Sequence, residues 1–302
     1  LIGHVDFATD DADVPVPAIS SGATATGSVD GVSAVGGLIG FNDLGKVGGS
    51  QASGAVTATA NRAGGLVGRN NGSIDESTAT STVNGVGEVG GVVGFNDAGG
   101  VISATDASGV VSGQTSVGGF AGDNAGTINN ATASGNVTAT GDIAGGFVGR
   151  VSGAGQIADA VASGWVNGTT NTGGFAGYIN AGTGIQNSRS EGDVTGTTQV
   201  GGFFGYNAGT VSNSWTDVLV SGQEDVGGFG GYQAATGSVQ KVYALGNVTV
   251  TGSALTASAG GLVGENAGSI NIAYASGSVS GATIGADVGG LVGTHTGVIT
   301  DA

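Results

Sequence analysis

GGLVGENAGSINIAYASGSVSG, residues 260–281, is one copy of a pattern that fills most of the 302-residue chain. A glycine pair comes first, then a large apolar residue, a variable residue and a third glycine. A polar turn, N-x-G, follows. Next come Ile or Val, a short alternating stretch, Ser-Gly, and a second Val followed by Thr, Ser or Asn. GGLVG at 64–68 and GGFFG at 201–205 open two other copies. Glycine pairs begin at Gly36, Gly64, Gly90, Gly118, Gly145, Gly173, Gly201, Gly227, Gly260 and Gly289. The mean step over these positions is about 28 residues, a period that marks a solenoid or array.

Stacking the copies gives columns. After the glycine pair stand Leu38, Leu66, Val92, Phe120, Phe147, Phe175, Phe203, Phe229, Leu262 and Leu291. A second column is Ile74, Ile102, Ile128, Ile157, Ile185, Val211, Val239, Ile270 and Ile299. A third is Val29, Val56, Val83, Val111, Val137, Val166, Val194, Val220, Val248 and Val279. The alternation A-x-A-S-G-x-V is strand periodicity. Three apolar columns predict three strands per turn around one shared core. One coil cannot bury its apolar residues alone, so coils must stack. The turn column Asn42, Asn70, Asn96, Asn124, Asn207 and Asn266, with Gln233 in one coil, predicts an amide ladder. It breaks near Val151 and Ile179. The expected fold is all-β: a three-sided parallel β-solenoid (β-helix), right-handed, of ten to eleven coils. It spans 18–302, with 1–17 as an N-terminal arm or linker outside the repeat.

Composition narrows the function. Gly is 67 of 302 residues without a three-residue period, and Pro is only 2, which excludes collagen. The bases Lys46, Arg62, Arg69, Arg150, Arg189 and Lys241 face 22 acids, for a net charge of −16. Such a surface repels nucleic acid. No apolar run approaches the roughly 20 residues of a spanning helix, so no transmembrane segment is expected. Zero Cys and zero Met fit an exported surface protein, and the missing Met predicts a mature or trimmed chain.

The G-[LFV]-x-G core recurring at this period, followed by N-x-G-x-I, resembles the GLUG motif of bacterial surface and secreted proteins. The resemblance covers about 18–302. It implies surface display and adhesion, since the motif occurs in large adhesins and outside the catalytic domains of some secreted peptidases.

Candidate sites are few. GGLIGFNDL, residues 36–44, nearly matches a calcium-binding nonapeptide, but its next glycine is one residue late. Glu88, Asp225 and Asp287 precede glycine pairs, with Asp142 one place earlier, and read as a solvated acidic corner. Asp10, Asp11 and Asp13 are the densest acids and the best calcium candidates, although they lie beside Pro15 and Pro17 in a linker-like segment. The two histidines, His4 and His295, are too far apart in sequence to argue a catalytic triad or zinc site, and His295 falls on the Asn column. No enzyme and no cofactor beyond calcium are expected. The outward Thr57, Asn84, Ser112, Thr138, Asn167, Thr195, Ser221, Thr249 and Ser280 resemble the array of an ice-binding solenoid, or simply suit exposed strands. Sequons at Asn71, Asn130, Asn136, Asn167 and Asn247 are what this composition gives by chance.

The repeat enters mid-coil near Ser21 and leaves mid-coil at Ala302. Two expectations follow: further coils of a longer adhesin, or self-association end to end into a filament with 1–17 donated as a strand. The function expected is a non-catalytic extracellular rod, structural or adhesive. The alternative is a ligand-binding module for a surface glycan, ice or calcium.

Overall fold

The computed structural model describes residues 2–5, 8–9, 15–16, 19–252, 257–281 and 287–302. Among these the secondary structure is β-strand throughout, with no helix. The chain winds into a β-solenoid of about ten turns, about 28 residues each. The coil around Asn70 shows the order. A pre-glycine strand, Asn61–Gly64, turns at the glycine pair into a post-glycine strand, Val67–Asn70. The isoleucine strand Ser73–Asp75 follows and continues as Thr78–Ala79. The valine strand Val83–Asn84 completes the circuit.

Like strands pair in parallel between coils. Val67 lies between Ile39 and Val93, Ile74 between Val47 and Ile102, and Val83 between Val56 and Val111. The described residues give 11 strands in the post-glycine sheet and 10 each in the valine and pre-glycine sheets. At about 4.8 Å per coil, the stack is on the order of 50 Å long.

Each of the three columns read from sequence belongs to this stack. The pre-glycine sheet is the addition. Its inward residues, Val35, Ala63, Val89, Val117, Ala144, Thr172, Val200, Val226 and Ala259, are small and mixed, so they blend into the glycine corner. The expected single core is corrected to two. Leu38, the Phe column, the Ile column and a row of alanines form one cluster. The valine and pre-glycine columns form the other. The glycine pair divides them, because it crosses the coil against the alanine row. A Cβ on Gly65 would lie 3.3 Å from the Ala79 Cβ and 2.0 Å from the Gly91 carbonyl oxygen. One on Gly64 would lie 1.9 Å from the Val67 oxygen, and one on Gly68 would lie 2.4 Å from the Ala34 backbone. Each glycine of GGLVG therefore excludes a different clash: its own corner, one neighbouring coil, or the other.

Phe120, Phe147, Phe175, Phe203 and Phe229 are fully buried and stacked, with centroids 4.7, 4.9, 4.7 and 4.8 Å apart. The ring spacing matches the coil rise, so each pair adds about 0.5–1.5 kcal/mol without straining the sheet. The fully buried Asn turns form the ladder directly. Asn42 Nδ2 donates to Asn70 Oδ1 (2.7 Å), Asn70 to Asn96 (2.8 Å) and Asn96 to Asn124 (2.8 Å). Val151 and Ile179 then take the position and join the apolar core. The ladder resumes from Asn207 to Gln233 (3.4 Å) and Gln233 to Asn266 (3.1 Å).

Segment 1–17, set apart by sequence, meets the stack at Ile2–Val5. These residues pair in parallel with Ile39–Asn42, Ile2 opposite Ile39 and His4 opposite Phe41. Leu1-Ile2-Gly3 repeats Leu38-Ile39-Gly40. Ala8–Thr9 pairs with Pro15–Val16 in an antiparallel ribbon.

Candidate functional site

Packing takes the inward positions, so any site lies on the outward faces. Two columns of left-handed residues shape those faces. Ala34, Arg62, Glu88, Ser116, Ile143, Asn171, Gln199 and Asp225 have φ of 49–70° in the pre-glycine strands. Glu76, Ala104, Asn130, Asp159, Asn187, Asn213, Lys241 and Ile272 have φ of 44–54° at the kink of the isoleucine strands. Non-glycine residues rarely adopt this region. Here the bonded coils on either side hold it in place. Sequence reasoning missed both columns because no residue type dominates either: the first repeats none, and the second has Asn at only three of eight positions. Alignment on the glycine pair would have shown a mostly polar position two residues before it.

Glu88 and Asp225, read from sequence as scattered acids, thus occupy one column. Asp142 lies on the adjacent outward row, and Asp287 accepts a hydrogen bond from Thr294 Oγ1 (3.2 Å). Asp10, Asp11 and Asp13 lie outside the described residues. Among the described residues no group of three or more His, Asp or Glu is placed to hold a metal. Asn266 Nδ2 lies 3.1 Å from His295 Nδ1, so His295 stands on the Asn ladder.

The outward row of the post-glycine sheet changes character along the rod. Arg69 lies over the Phe41 ring (4.8 Å) and binds both Asp97 oxygens (2.7 and 2.9 Å), a pairing that raises its pKa. Arg62 lies over Phe95 (5.2 Å) and pairs with Glu88 (2.9 Å). Asp123 is buried and accepts from Ser152 Oγ (2.6 Å). Burial pushes its carboxyl up to about 6, against the opposing pull of Ser152 and Arg150. Tyr178, Tyr206 and Tyr232 then stack at 4.3 and 5.3 Å. Asp225 is likewise pushed up to about 6, first by burial and then by Glu265 and Glu224.

The isoleucine sheet carries a second aromatic strip, with Trp215 stacked on Tyr243 (5.8 Å) and Tyr274 exposed. On the valine sheet, the second threonine of several T-x-T pairs turns back to the preceding coil. Thr59, Thr140 and Thr251 donate to Gly31, Gly113 and Gly222 carbonyls at 3.4, 3.4 and 3.1 Å. Those hydroxyl protons are engaged by backbone rather than directed outward.

A family model described as the GLUG motif matches residues 59–84. That stretch is one coil, from the end of one valine strand through Gly64, Asn70 and Ile74 to the next valine strand. Neither the curated proteins nor the solved structures contain a significant match to the chain.

Proposed function

Because the chain is a GLUG-repeat β-solenoid protein, we propose that it serves outside the cell as a stiff, non-catalytic rod that carries or mediates adhesion. One observation carries this reading: like residues stack on like through the length of the coil array. The Phe stack, the amide ladders and the paired sheets each tie one coil to the next. Such an array resists bending more than a chain of loosely joined domains, which suits a spacer. The acidic surface keeps rods soluble and apart. Negative-stain electron microscopy, together with attachment of protein-coated beads to cells, tests the reading. Straight rods of uniform width and beads that attach are expected. Flexible or collapsed particles would sink the rod, and beads that never attach would remove adhesion.

The finer form is end-to-end polymerisation with segment 1–17 as a donated strand. Its support is that Ile2–Val5 has the register of a solenoid strand; here it pairs with Ile39–Asn42 of its own chain, so donation requires the strand to exchange that edge for the equivalent one of a second copy. Filaments lost on deletion of 1–17 are expected, whereas monodisperse short rods at high concentration would remove it. Calcium binding by Asp10, Asp11 and Asp13 is a separate proposal, tested by whether calcium raises the melting temperature.

A further inference from the structure

The outward faces of the pre-glycine and post-glycine sheets meet above the glycine corner. A groove of about 330 Å³ runs there; its polar lining is Asn61, Glu88, Thr115, Ser116, Asp142 and Arg150, with Gly87 and the apolar Ile143 between them. These residues come from four successive coils. The groove therefore lies along the rod axis and covers roughly 15 Å, three coil rises.

One residue opens it. The outward row of the pre-glycine sheet reads Asn61, Gly87, Thr115, Asp142, Thr170, Thr198 and Glu224. Every coil in that run except one presents a polar side chain. Gly87 has no left-handed φ. A Cβ there would meet no backbone, but the Asn61 Oδ1 at 2.8 Å and the Thr115 Oγ1 at 3.3 Å. The backbone does not demand glycine at 87, unlike the glycines of the corner, so its effect is to leave space.

The lining defines what fits. Glu88 is neutralised by Arg62. Asp142 and Arg150 add one charge of each sign, so the groove is close to neutral on a chain of net charge −16. Carboxylate, amide and hydroxyl acceptors alternate with amide, hydroxyl and guanidinium donors. The Arg150 guanidinium lies over the Tyr178 ring (5.8 Å), and its Nε is buried without a hydrogen-bond partner. Planar groups of this kind bind adjacent hydroxyls in pairs. A charged ligand would leave one sign of the lining uncompensated, and an apolar ligand would cover these donors and acceptors without meeting them. We propose that this groove binds a linear, neutral polysaccharide, with consecutive sugar units laid along the rod axis. The proposal deepens the adhesive reading and rests on it by naming the surface and the partner class.

Affinity electrophoresis of the full chain through gels containing dextran, mannan, xylan or a β-glucan, with alginate as the anionic comparison, tests the proposal. Retardation by at least one neutral polymer is expected. Gly87→Thr restores the row's usual residue and fills the groove, and Arg150→Gln removes a donor set. Each should weaken retardation at least tenfold, while Thr198→Val, on the same row outside the groove, leaves it unchanged. If Gly87→Thr fails to melt like the parent chain, Arg150→Gln decides alone. The idea is overturned if no neutral polymer retards the protein, if only alginate does, or if the folded groove variants are retarded like the parent. Straight rods without glycan retardation would sink the groove and leave the rod reading standing.

Discussion

The two halves of the rod share the same pair of cores and differ on the outside. Up to Arg150, the outward row of the post-glycine sheet mixes rings and charges: Phe41, Arg69, Phe95, Asp123, Arg150. Beyond it come three like residues in succession, Tyr178 on Tyr206 on Tyr232, followed by Glu265 and Thr294. The amide ladder divides at the same place. The first segment is all Asn, with bonds of 2.7–2.8 Å. The second mixes Asn and Gln, with bonds of 3.1–3.4 Å. The lesson is that an inward residue answers to both neighbouring coils, and the backbone clash repeats in every turn. An outward residue answers to solvent and to one or two neighbours, so each half has diverged freely there.

The largest expected effect tests the shared interior. In Gly65→Ala and Gly202→Ala the new Cβ would lie 2.0 and 2.1 Å from the next coil's carbonyl oxygen. Both variants should lose stability severely and to a similar extent in thermal melting, beyond the 0.5–3 kcal/mol of ordinary substitutions. A mild effect in one half would break the equivalence. Next comes the ladder. Asn96→Ala strands the Asn70 donor and the Asn124 acceptor in a buried turn, a loss of about 1–3 kcal/mol in denaturant unfolding. Gln233→Ala should cost less through the ladder, whose bonds there are longer (3.1–3.4 Å), and the separate 2.8 Å bond it gives to the Ser269 carbonyl narrows the gap. The reverse order would remove the distinction between the segments.

The smallest effect is pH-dependent and common to both halves, through Asp123 in the first and Asp225 in the second. Asp225 is held up to about 6 when folded, against 3.8 ordinarily. Between those values the folded chain holds a proton that the unfolded chain has released. Stability from this group is therefore greatest below about 4 and falls as pH rises through 6. Asp225→Asn should raise the melting temperature at pH 7.5 by a few degrees at most, and the gain should vanish near pH 4. A gain of equal size at both pH values would show that charge is not the cause.

What the sequence made legible follows from the same division. The Leu and Phe column and the Asn column repeat because their side chains touch their own kind above and below. Their uniformity makes them visible without a structure. The pre-glycine strands were hidden because Val35, Ala63, Ala144 and Thr172 need only be small. The left-handed columns were hidden because backbone geometry, not side-chain identity, defines them: Arg62, Ile143 and Asp225 share a conformation and nothing else. The groove was least legible of all. It depends on one missing side chain, at Gly87, among 67 glycines in a chain where most others have a steric reason.

The shallow rise of each coil also sets how the rod answers to force. A coil of about 28 residues adds about 4.8 Å to the folded length, yet peeled away it yields roughly 90–100 Å of extended chain. A tether of this design under tension would lengthen about twentyfold per coil surrendered, in near-equal steps. It would behave as a spool that absorbs a sudden pull one winding at a time, before the load reaches whatever it holds.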